Sequence, residues 1–368
     1  FLGGAWFDWI YRALVLLVIA CPCALVISTP VTVVSGLAAA ARHGILIKGG
    51  VYLELGRKLT WLALDKTGTL TRGKPAQTDF KPIADCEVPL LRSIAASLAA
   101  RSDHPVSQAI ARQAQADQIA TLEVTQFEAL PGRGTRGQID GHRYHLGNHQ
   151  LVEDLGFCSP ALEQILFPLQ QQDKTVLLPS DETKVLALFA VADTVKDSSR
   201  EAIALLHALG IKTLMLTGDN PHTAAAIAKQ VGIDQARGNL LPADKLQAIE
   251  ALLARSETTG MVGDGINDAP ALARADIGFA MGAAGSDSAI ETADVALMDD
   301  DLRKIARFVQ LSRDTADILQ QNITMALGIK AIFLALTLTG YGSMWMAVFA
   351  DMGTSLLVVF NGLRLLRR

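Results

Sequence analysis

The sequence predicts an α/β protein with membrane segments: a doubly wound parallel sheet, an α+β domain inserted into it, and three transmembrane α-helices. Three observations predict this fold class. Long apolar runs occupy both ends of the chain, strand-like runs between them stop at acidic residues or glycine, and one long segment interrupts the strand–helix alternation. The 368 residues are enough for two or more domains with cores of their own.

Hydrophobicity is concentrated at the two ends of the chain. One apolar run extends from about Trp9 to Ala41, and two more, Ile323 to Tyr341 and Met344 to Leu366, follow the polar middle. Each is close to, or longer than, the roughly 20 residues that span a bilayer. Basic residues follow the first and third runs, and such residues favour the cytoplasmic side. We therefore expect a multi-pass membrane protein whose polar middle is cytoplasmic.

The polar middle shows strands that end in carboxylates. LTWLALD ends at Asp65, IKTLMLTGD ends at Asp219, and TTGMVGDG carries Asp264. Amphipathic stretches such as 198–209 and 224–231 separate these runs. Because ligands bind at the carboxyl ends of the strands in a doubly wound parallel sheet, we expect these carboxylates to serve one site.

The strand–helix alternation is interrupted from about Pro75 to Val185 by a segment with helices and strands of its own. We interpret it as a second domain inserted into the first. The predicted organisation is a membrane helix over 1–48, the sheet domain over 49–74 and 188–315, the insert over 75–187, and a membrane helix pair over 316–368.

The segment DKTGTLT, which begins at Asp65, combines a carboxylate at a strand end with hydroxylated residues and glycine. Such a loop offers a nucleophile beside backbone amides that hold a phosphate. Thr217 and Lys245 are candidates for holding the phosphoryl oxygens. Carboxylates from separate strands form a magnesium site because this hard cation prefers oxygen ligands.

The motifs DKTGTLT, TGDN and GDGIND resemble the phosphorylation-domain motifs of P-type ATPases, within the haloacid-dehalogenase-like superfamily. The resemblance implies that Asp65 is the phosphorylated aspartate. It implies a catalytic set of Asp65, Lys66, Thr67, Thr217, Gly218, Asp219, Lys245 and Asn267, and a magnesium set of Asp65, Thr67, Asp264 and Asp268. Soluble phosphatases of the superfamily carry a second aspartate, which acts as general acid and base, where this chain has Thr67. Because Thr67 cannot take that role, we expect the aspartyl-phosphate of this chain to be long-lived.

The insert resembles the nucleotide-binding domain of the same family. The residues that carry this resemblance are His104, Gly132, Gly134 and Asn148, and they imply that the insert binds ATP. Imidazole can stack on or hydrogen-bond to adenine, and glycine lets the backbone approach a nucleotide closely. The heavy-metal branch usually has a glutamate five residues before the histidine, where this chain has Ala99, so Glu128 is an alternative acid.

The first apolar run contains Cys21-Pro22-Cys23. Proline removes a helical hydrogen bond and clashes with the carbonyl four residues back, here that of Val18. The resulting break can turn both thiols toward one cavity beside a freed carbonyl. Two thiolates select zinc, cadmium, lead or copper(I). The motif resembles the transmembrane metal site of heavy-metal ATPases.

Lys330 and Asp351 lie inside the last two apolar runs, where charged side chains are paired or functional. A structural salt bridge between them is one interpretation. The combination also resembles the zinc, cadmium and lead branch, in which the aspartate coordinates or balances the divalent ion and the lysine is a built-in counter-ion. Asn322 is present, as in the copper branch, but the tyrosine before it and the Met-Ser-Ser pattern of that branch are missing.

The resemblance covers the whole chain but not a whole pump, because the actuator Thr-Gly-Glu motif and the Cys-rich metal-binding modules do not occur. We therefore expect a fragment of a longer chain whose N-terminal part is one of its partners.

The predicted function is ATP-driven export of zinc, cadmium or lead through an aspartyl-phosphate. The family resemblance implies ATP and Mg²⁺ as cofactors, the bilayer as a partner, and the cell (inner or plasma) membrane as the location. Alternatives are a copper(I) pump, a membrane-anchored phosphatase and a decayed, metal-binding ATPase. The net charge of −4 argues against nucleic acid as a partner.

Overall fold

The computed structural model describes residues 6–172, 174–255, 257–264, 266–282 and 287–367. Gly265, in the middle of the predicted GDGIND motif, lies outside the described residues. The chain divides into two compact units. The first unit comprises Phe1–Ala63, Glu201–Lys212 and Lys245–Arg368, and the second comprises Leu64–Arg200 and Thr213–Asp244.

Helices and strands alternate along most of the chain. The helices are α1 (Trp6–Ala20), α2 (Cys23–Arg42), α3 (Gly50–Gly56), α4 (Val88–Ala99), α5 (Pro105–Ala116), α6 (His149–Asp154), α7 (Pro160–Gln171), α8 (Asp197–Ala208), α9 (Pro221–Val231), α10 (Pro242–Leu253), α11 (Ala269–Arg274), α12 (Asp287–Thr292), α13 (Arg303–Leu338) and α14 (Met344–Leu363). The strands are β1 (Ile45–Ile47), β2 (Trp61–Asp65), β3 (Thr71–Pro82), β4 (Thr125–Leu130), β5 (Gly134–Ile139), β6 (His142–Gly147), β7 (Thr175–Ser180), β8 (Ala187–Val195), β9 (Lys212–Leu216), β10 (Gln235–Arg237), β11 (Thr259–Gly263), β12 (Ile277–Met281) and β13 (Val295–Leu297).

Within its described residues, the first unit contains three helical segments that are long and apolar enough to cross a membrane. They are Trp9–Arg42, Arg303–Leu338 and Met344–Arg367. The three predicted crossings are confirmed by length and composition. The second crossing is the last part of α13, which begins at Arg303, well before the predicted start at Ile323. The first crossing is two helices, because α1 ends at Ala20 and α2 begins at Cys23.

A buried amide joins α2, α13 and α14. The Asn322 side chain is fully buried, and its Nδ2 donates to Thr32 Oγ1 at 3.3 Å and to the Val358 carbonyl at 3.2 Å. Its Oδ1 accepts a hydrogen bond from Asn361 Nδ2 at 2.8 Å. Since a membrane offers no water to replace lost partners, polar contacts of this kind fix how membrane helices pack.

The sheet of the first unit is mostly parallel. β11 pairs in parallel with β12, β12 pairs in parallel with β13, and β1 closes this edge in the antiparallel sense. β11 and β12 are buried along their whole length, as expected for strands covered on both faces. In the second unit, β9 and β10 also pair in parallel. The predicted doubly wound α/β class is confirmed by these pairings.

The second unit contains a six-stranded antiparallel sheet with the order β3-β8-β7-β6-β5-β4. One buried cluster packs α4 and α5 against this sheet, and a second cluster packs α6 and α7. The sheet and its helices confirm the predicted α+β insert. The predicted limits of the insert, residues 75 and 187, lie within β3 and at the first residue of β8.

The first cluster gives a stability prediction. Phe189 is 1% exposed, and its ring centroid lies 4.9 Å from that of Phe80. Replacing a buried phenylalanine by alanine costs about 3 to 5 kcal/mol. We expect Phe189→Ala to lower the free energy of local unfolding of this sheet by that amount, measured by amide hydrogen exchange in β7 and β8. Phe167→Ala, at a side chain 61% exposed, is the control and should change that free energy by less than about 0.5 kcal/mol. Equal effects of the two variants would contradict the packing described here.

Candidate functional site

Asp65 is the last residue of the fully buried strand β2 and is itself buried. The backbone then makes a turn over Lys66–Leu70, in which Thr67 is extended (φ −74°, ψ 132°) and Gly68 has φ +70°. Residues with a side chain rarely adopt this left-handed conformation, so glycine is required here. The hydroxyl of Thr71 donates to Asp193 Oδ2 at 2.5 Å and so ties the end of the turn to β8.

Two side chains hold the carbonyl groups of this loop. Lys196 Nζ donates to the Gly68 carbonyl at 2.7 Å, and Ser199 Oγ donates to the Leu70 carbonyl at 2.8 Å. The amide of Lys196 also donates to the Leu70 carbonyl at 3.0 Å. These bonds fix the conformation of the loop that follows Asp65. The sequence assigned no role to Ser199; its position in the first turn of α8 was the only available signal.

The second unit also brings Lys66 to Asp219. Lys66 Nζ lies 2.5 Å from Asp219 Oδ2, and both side chains are mostly buried. Thr217 is buried at the end of β9, and its Oγ1 accepts from the Asp219 amide at 3.2 Å. Asn220 then caps α9 by accepting from the Thr223 amide at 2.9 Å. The predicted TGDN motif is therefore a strand end followed by a capped helix, with Gly218 between the two polar side chains.

The first unit contains a separate pair of buried charges. Lys245 Nζ donates to Asp268 Oδ1 at 2.8 Å, and both side chains are buried. A carboxylate oxygen of Asp264 lies within 4.8 Å of one of Asp268. Asn267 and Asp268 lie in a 3₁₀ turn directly before α11, and Asn267 is exposed. Two neighbouring carboxylates offer the oxygen ligands that suit Mg²⁺.

The insert has a cavity of about 820 Å³. Its lining includes all four predicted nucleotide residues, His104, Gly132, Gly134 and Asn148. Asn148 Nδ2 donates to the Gly132 carbonyl at 2.9 Å, while its Oδ1 caps α6. Gly134 has φ +147°, and a Cβ there would lie 2.2 Å from the Leu146 carbonyl oxygen, so only glycine fits.

The proposed alternative acid for adenine is not in this cavity. The side chains of β4 alternate, so that Phe127 and Ala129 line the cavity, whereas Glu128 lies outside its lining and pairs with Arg136 at 2.7 Å. Ala99 is fully buried in the core. The acid that does line the cavity, among the described residues, is Asp103, beside His104.

The helix break in the membrane segment lies at Cys21-Pro22, as predicted. It brings the Sγ atoms of Cys21 and Cys23 together, and the structure joins them as a disulfide. The sequence predicted two thiolates at these positions, so the predicted metal ligands correspond to the reduced form of this pair. Because the helix is interrupted between α1 and α2, Cys21 and Cys23 can place their sulfur atoms on the same side although they are only two residues apart.

The other two predicted membrane residues also come together. Lys330 Nζ lies 3.9 Å from Asp351 Oδ1, with both atoms buried between α13 and α14. Neither atom has a hydrogen-bond partner among the described residues. A pair at this distance provides charge compensation without the close contact of a tight salt bridge.

A protein-family profile described as "haloacid dehalogenase-like hydrolase" matches residues 59–276. The chain is 47% identical, over its whole length, to a "Probable cadmium-transporting ATPase" of Staphylococcus aureus (strain MRSA252), of which it covers 51%. It is 45% identical to the "Zinc/cadmium/lead-transporting P-type ATPase" of Escherichia coli (strain K12), of which it covers 49%. The chain thus spans about half the length of these curated relatives.

Among solved structures, the chain resembles the crystal structure of a zinc-transporting PIB-type ATPase in the E2.Pi state. The TM-score is 0.90 at 44% identity, covering 99% of this chain and 59% of that one. The catalytic domain of the CPx-ATPase CopB-B matches 73% of the chain, with a TM-score of 0.56 at 27% identity. The chain therefore belongs to the haloacid dehalogenase-like hydrolases, and it is similar to P-type ATPases whose names specify cadmium or zinc transport.

Proposed function

We propose that this chain supplies the catalytic and ion-binding part of a pump that exports zinc, cadmium or lead ions across a membrane at the expense of ATP. The observation that carries the proposal is the Lys330–Asp351 pair, buried at 3.9 Å between two membrane helices without hydrogen-bond partners. The same chain carries a cysteine pair in its first crossing and a carboxylate nucleophile after β2.

Asp65 is the proposed nucleophile. Its carboxylate oxygen attacks the γ-phosphorus of ATP, the bond to the β–γ bridging oxygen breaks, and ADP leaves with that electron pair. The loop amides, held by Lys196 and Ser199, would receive the phosphoryl oxygens. By the family resemblance, Thr217 and Lys245 contribute further contacts to the same oxygens. Their burial supports this role, because electrostatic contacts are stronger away from water.

Magnesium would be held by Asp65, the Thr67 carbonyl and Asp264, with Asp268 and Asn267 in support. When bound, it neutralises charge on the phosphate oxygens. The neighbouring carboxylates of Asp264 and Asp268 support this assignment, since oxygen ligands match a hard cation. Asp268 already accepts from Lys245, which leaves Asp264 as the stronger candidate for direct coordination.

Thr67 supports a pump over a phosphatase. A phosphatase needs an acid–base group beside its nucleophile, and a threonine hydroxyl does not titrate near neutral pH. Hydrolysis of the aspartyl-phosphate would therefore be slow within this chain. A slow step gives the membrane helices time to change conformation before the phosphate is lost.

The transported ion would bind the reduced Cys21 and Cys23 together with Asp351. Two thiolates and one carboxylate carry three negative charges, and a divalent ion together with the Lys330 ammonium balances them. Copper(I) would leave one charge uncompensated in a medium where that is costly. Asn322, the residue shared with the copper branch, already uses its amide to join three helices. Charge balance therefore favours zinc, cadmium and lead.

The role of Asp351 can be tested in the full-length protein. We expect zinc, cadmium and lead to stimulate ATP hydrolysis under reducing conditions, and Asp351→Ala to abolish that stimulation because the dithiol alone leaves the ion undercoordinated. The measurement is ATPase activity in detergent as a function of each ion. Met352→Ala, at the exposed neighbouring side chain, is the matched control and should keep the stimulation. Stimulation by copper(I) alone, or activity indifferent to metal and to Asp351→Ala, would contradict the assignment.

The nucleotide cavity gives a second test. His104→Ala should weaken ATP binding by about tenfold, equivalent to roughly 1.4 kcal/mol, because one stacking or hydrogen-bonding contact with adenine is lost. The measurement is the dissociation constant by titration calorimetry. His142→Ala, at an exposed position in the β5–β6 hairpin, is the control and should leave the constant unchanged. An unchanged affinity in His104→Ala would exclude the cavity as the adenine site.

A further inference from the structure

A second group of metal-ligating side chains lies in the insert, outside the predicted sites. The ligand atoms of His149, Cys158 and Glu163 all lie within 4.8 Å of one another, and each residue is half-buried. His149 Nε2 is 3.4 Å from Cys158 Sγ and 2.6 Å from Glu163 Oε1. Cys158 Sγ donates to Glu163 Oε1 at 2.9 Å. Glu153 Oε1 lies 3.9 Å from His149 Nε2 and is a fourth candidate ligand.

We propose that His149, Cys158 and Glu163, with Glu153 nearby, form a second binding site for a borderline divalent cation such as Zn²⁺ or Cd²⁺. One nitrogen, one sulfur and carboxylate oxygens are the ligand types that zinc takes in proteins. This site is separate from the membrane cysteines, and it does not depend on the chain being part of a pump.

The distances are close to those of a tetrahedral site. With metal–ligand bonds of about 2.0 to 2.3 Å, ligand atoms lie about 3.3 to 3.6 Å apart. The separation of 3.4 Å between His149 Nε2 and Cys158 Sγ already fits. The two contacts of Glu163 need to lengthen by less than about 1 Å, which one carboxylate rotation provides. The protein would therefore change little when the ion binds.

Helices α6 and α7 carry three of the four candidate ligands. His149 and Glu153 are four residues apart on α6, so they lie on one face of that helix. A turn at Gly156, with φ +75°, reverses the chain before Cys158, and Glu163 lies in the first turn of α7. The buried faces of α6 and α7 pack into one cluster, which includes Val152, Leu162 and Leu166.

The charge of the surroundings also favours a cation. The pKa of the Cys158 thiol is raised to about 11 by its hydrogen bond to Glu163, by burial, and by the charges of Glu163 and Glu153. Asp154, on the same helix as His149, pairs with Arg133 at 3.2 Å.

The test uses the full-length protein with Cys21→Ser and Cys23→Ser, which removes the membrane cysteines as ligands. Equilibrium dialysis counts the bound Zn²⁺, and substitution by Co²⁺ reports a thiolate ligand through its charge-transfer absorption. We expect one ion per chain with that absorption, both lost in Cys158→Ser. Cys86→Ser, at the exposed cysteine of the insert, is the matched control and should lose neither.

Each other outcome overturns the proposal. Failure of the background protein to bind Zn²⁺, or retention of the ion in Cys158→Ser, would show that the three side chains form only a hydrogen-bonded cluster. Equal loss in Cys158→Ser and Cys86→Ser would indicate nonspecific thiol binding. Glu163→Gln distinguishes a metal ligand from a side chain that is only nearby, because it removes the carboxylate charge and keeps the side-chain volume. It should weaken Zn²⁺ binding without unfolding the insert.

Discussion

The structure depends on one constraint: a charge that is removed from water must be balanced by another charge nearby. Among the described residues, three of the lysine–aspartate pairs have side chains that are each at most 20% exposed: Lys66–Asp219 at 2.5 Å, Lys245–Asp268 at 2.8 Å and Lys330–Asp351 at 3.9 Å. The two pairs in the polar part of the chain are tight and lie in the motifs that we propose to bind phosphate. The membrane pair has the longest separation of the three.

The same constraint explains the polar contacts that surround these charges. After Asp65, the loop is shaped by Gly68 and held through its carbonyl groups by Lys196 and Ser199. Between the membrane helices, the Asn322 amide finds hydrogen-bond partners on three helices and so fixes their packing. In both places, hydrogen bonds between distant segments set the local geometry.

The fold could be predicted because the spacing of hydrophobic residues and the residues at strand ends can be read from short stretches of sequence. Apolar length identified the three crossings, and proline between Cys21 and Cys23 predicted the helix break. Contacts between distant segments could not be predicted in this way. Nothing in the sequence pairs Ser199 with Leu70, turns Glu128 away from the nucleotide cavity, or brings Cys158 to His149. The disulfide was not predicted either, because the sequence indicates two metal-binding thiolates at Cys21 and Cys23.

We propose that Asp65 forms an aspartyl-phosphate when a divalent ion is bound in the membrane. The most direct measurement is phosphorylation of the full-length protein by γ-phosphate-labelled ATP, with the label tested for sensitivity to hydroxylamine. Labelling should require zinc, be lost in Asp65→Asn, and persist in Asp85→Asn, at an exposed aspartate of the insert. Labelling that survives Asp65→Asn, or a wild-type protein that is never labelled, would contradict this proposal.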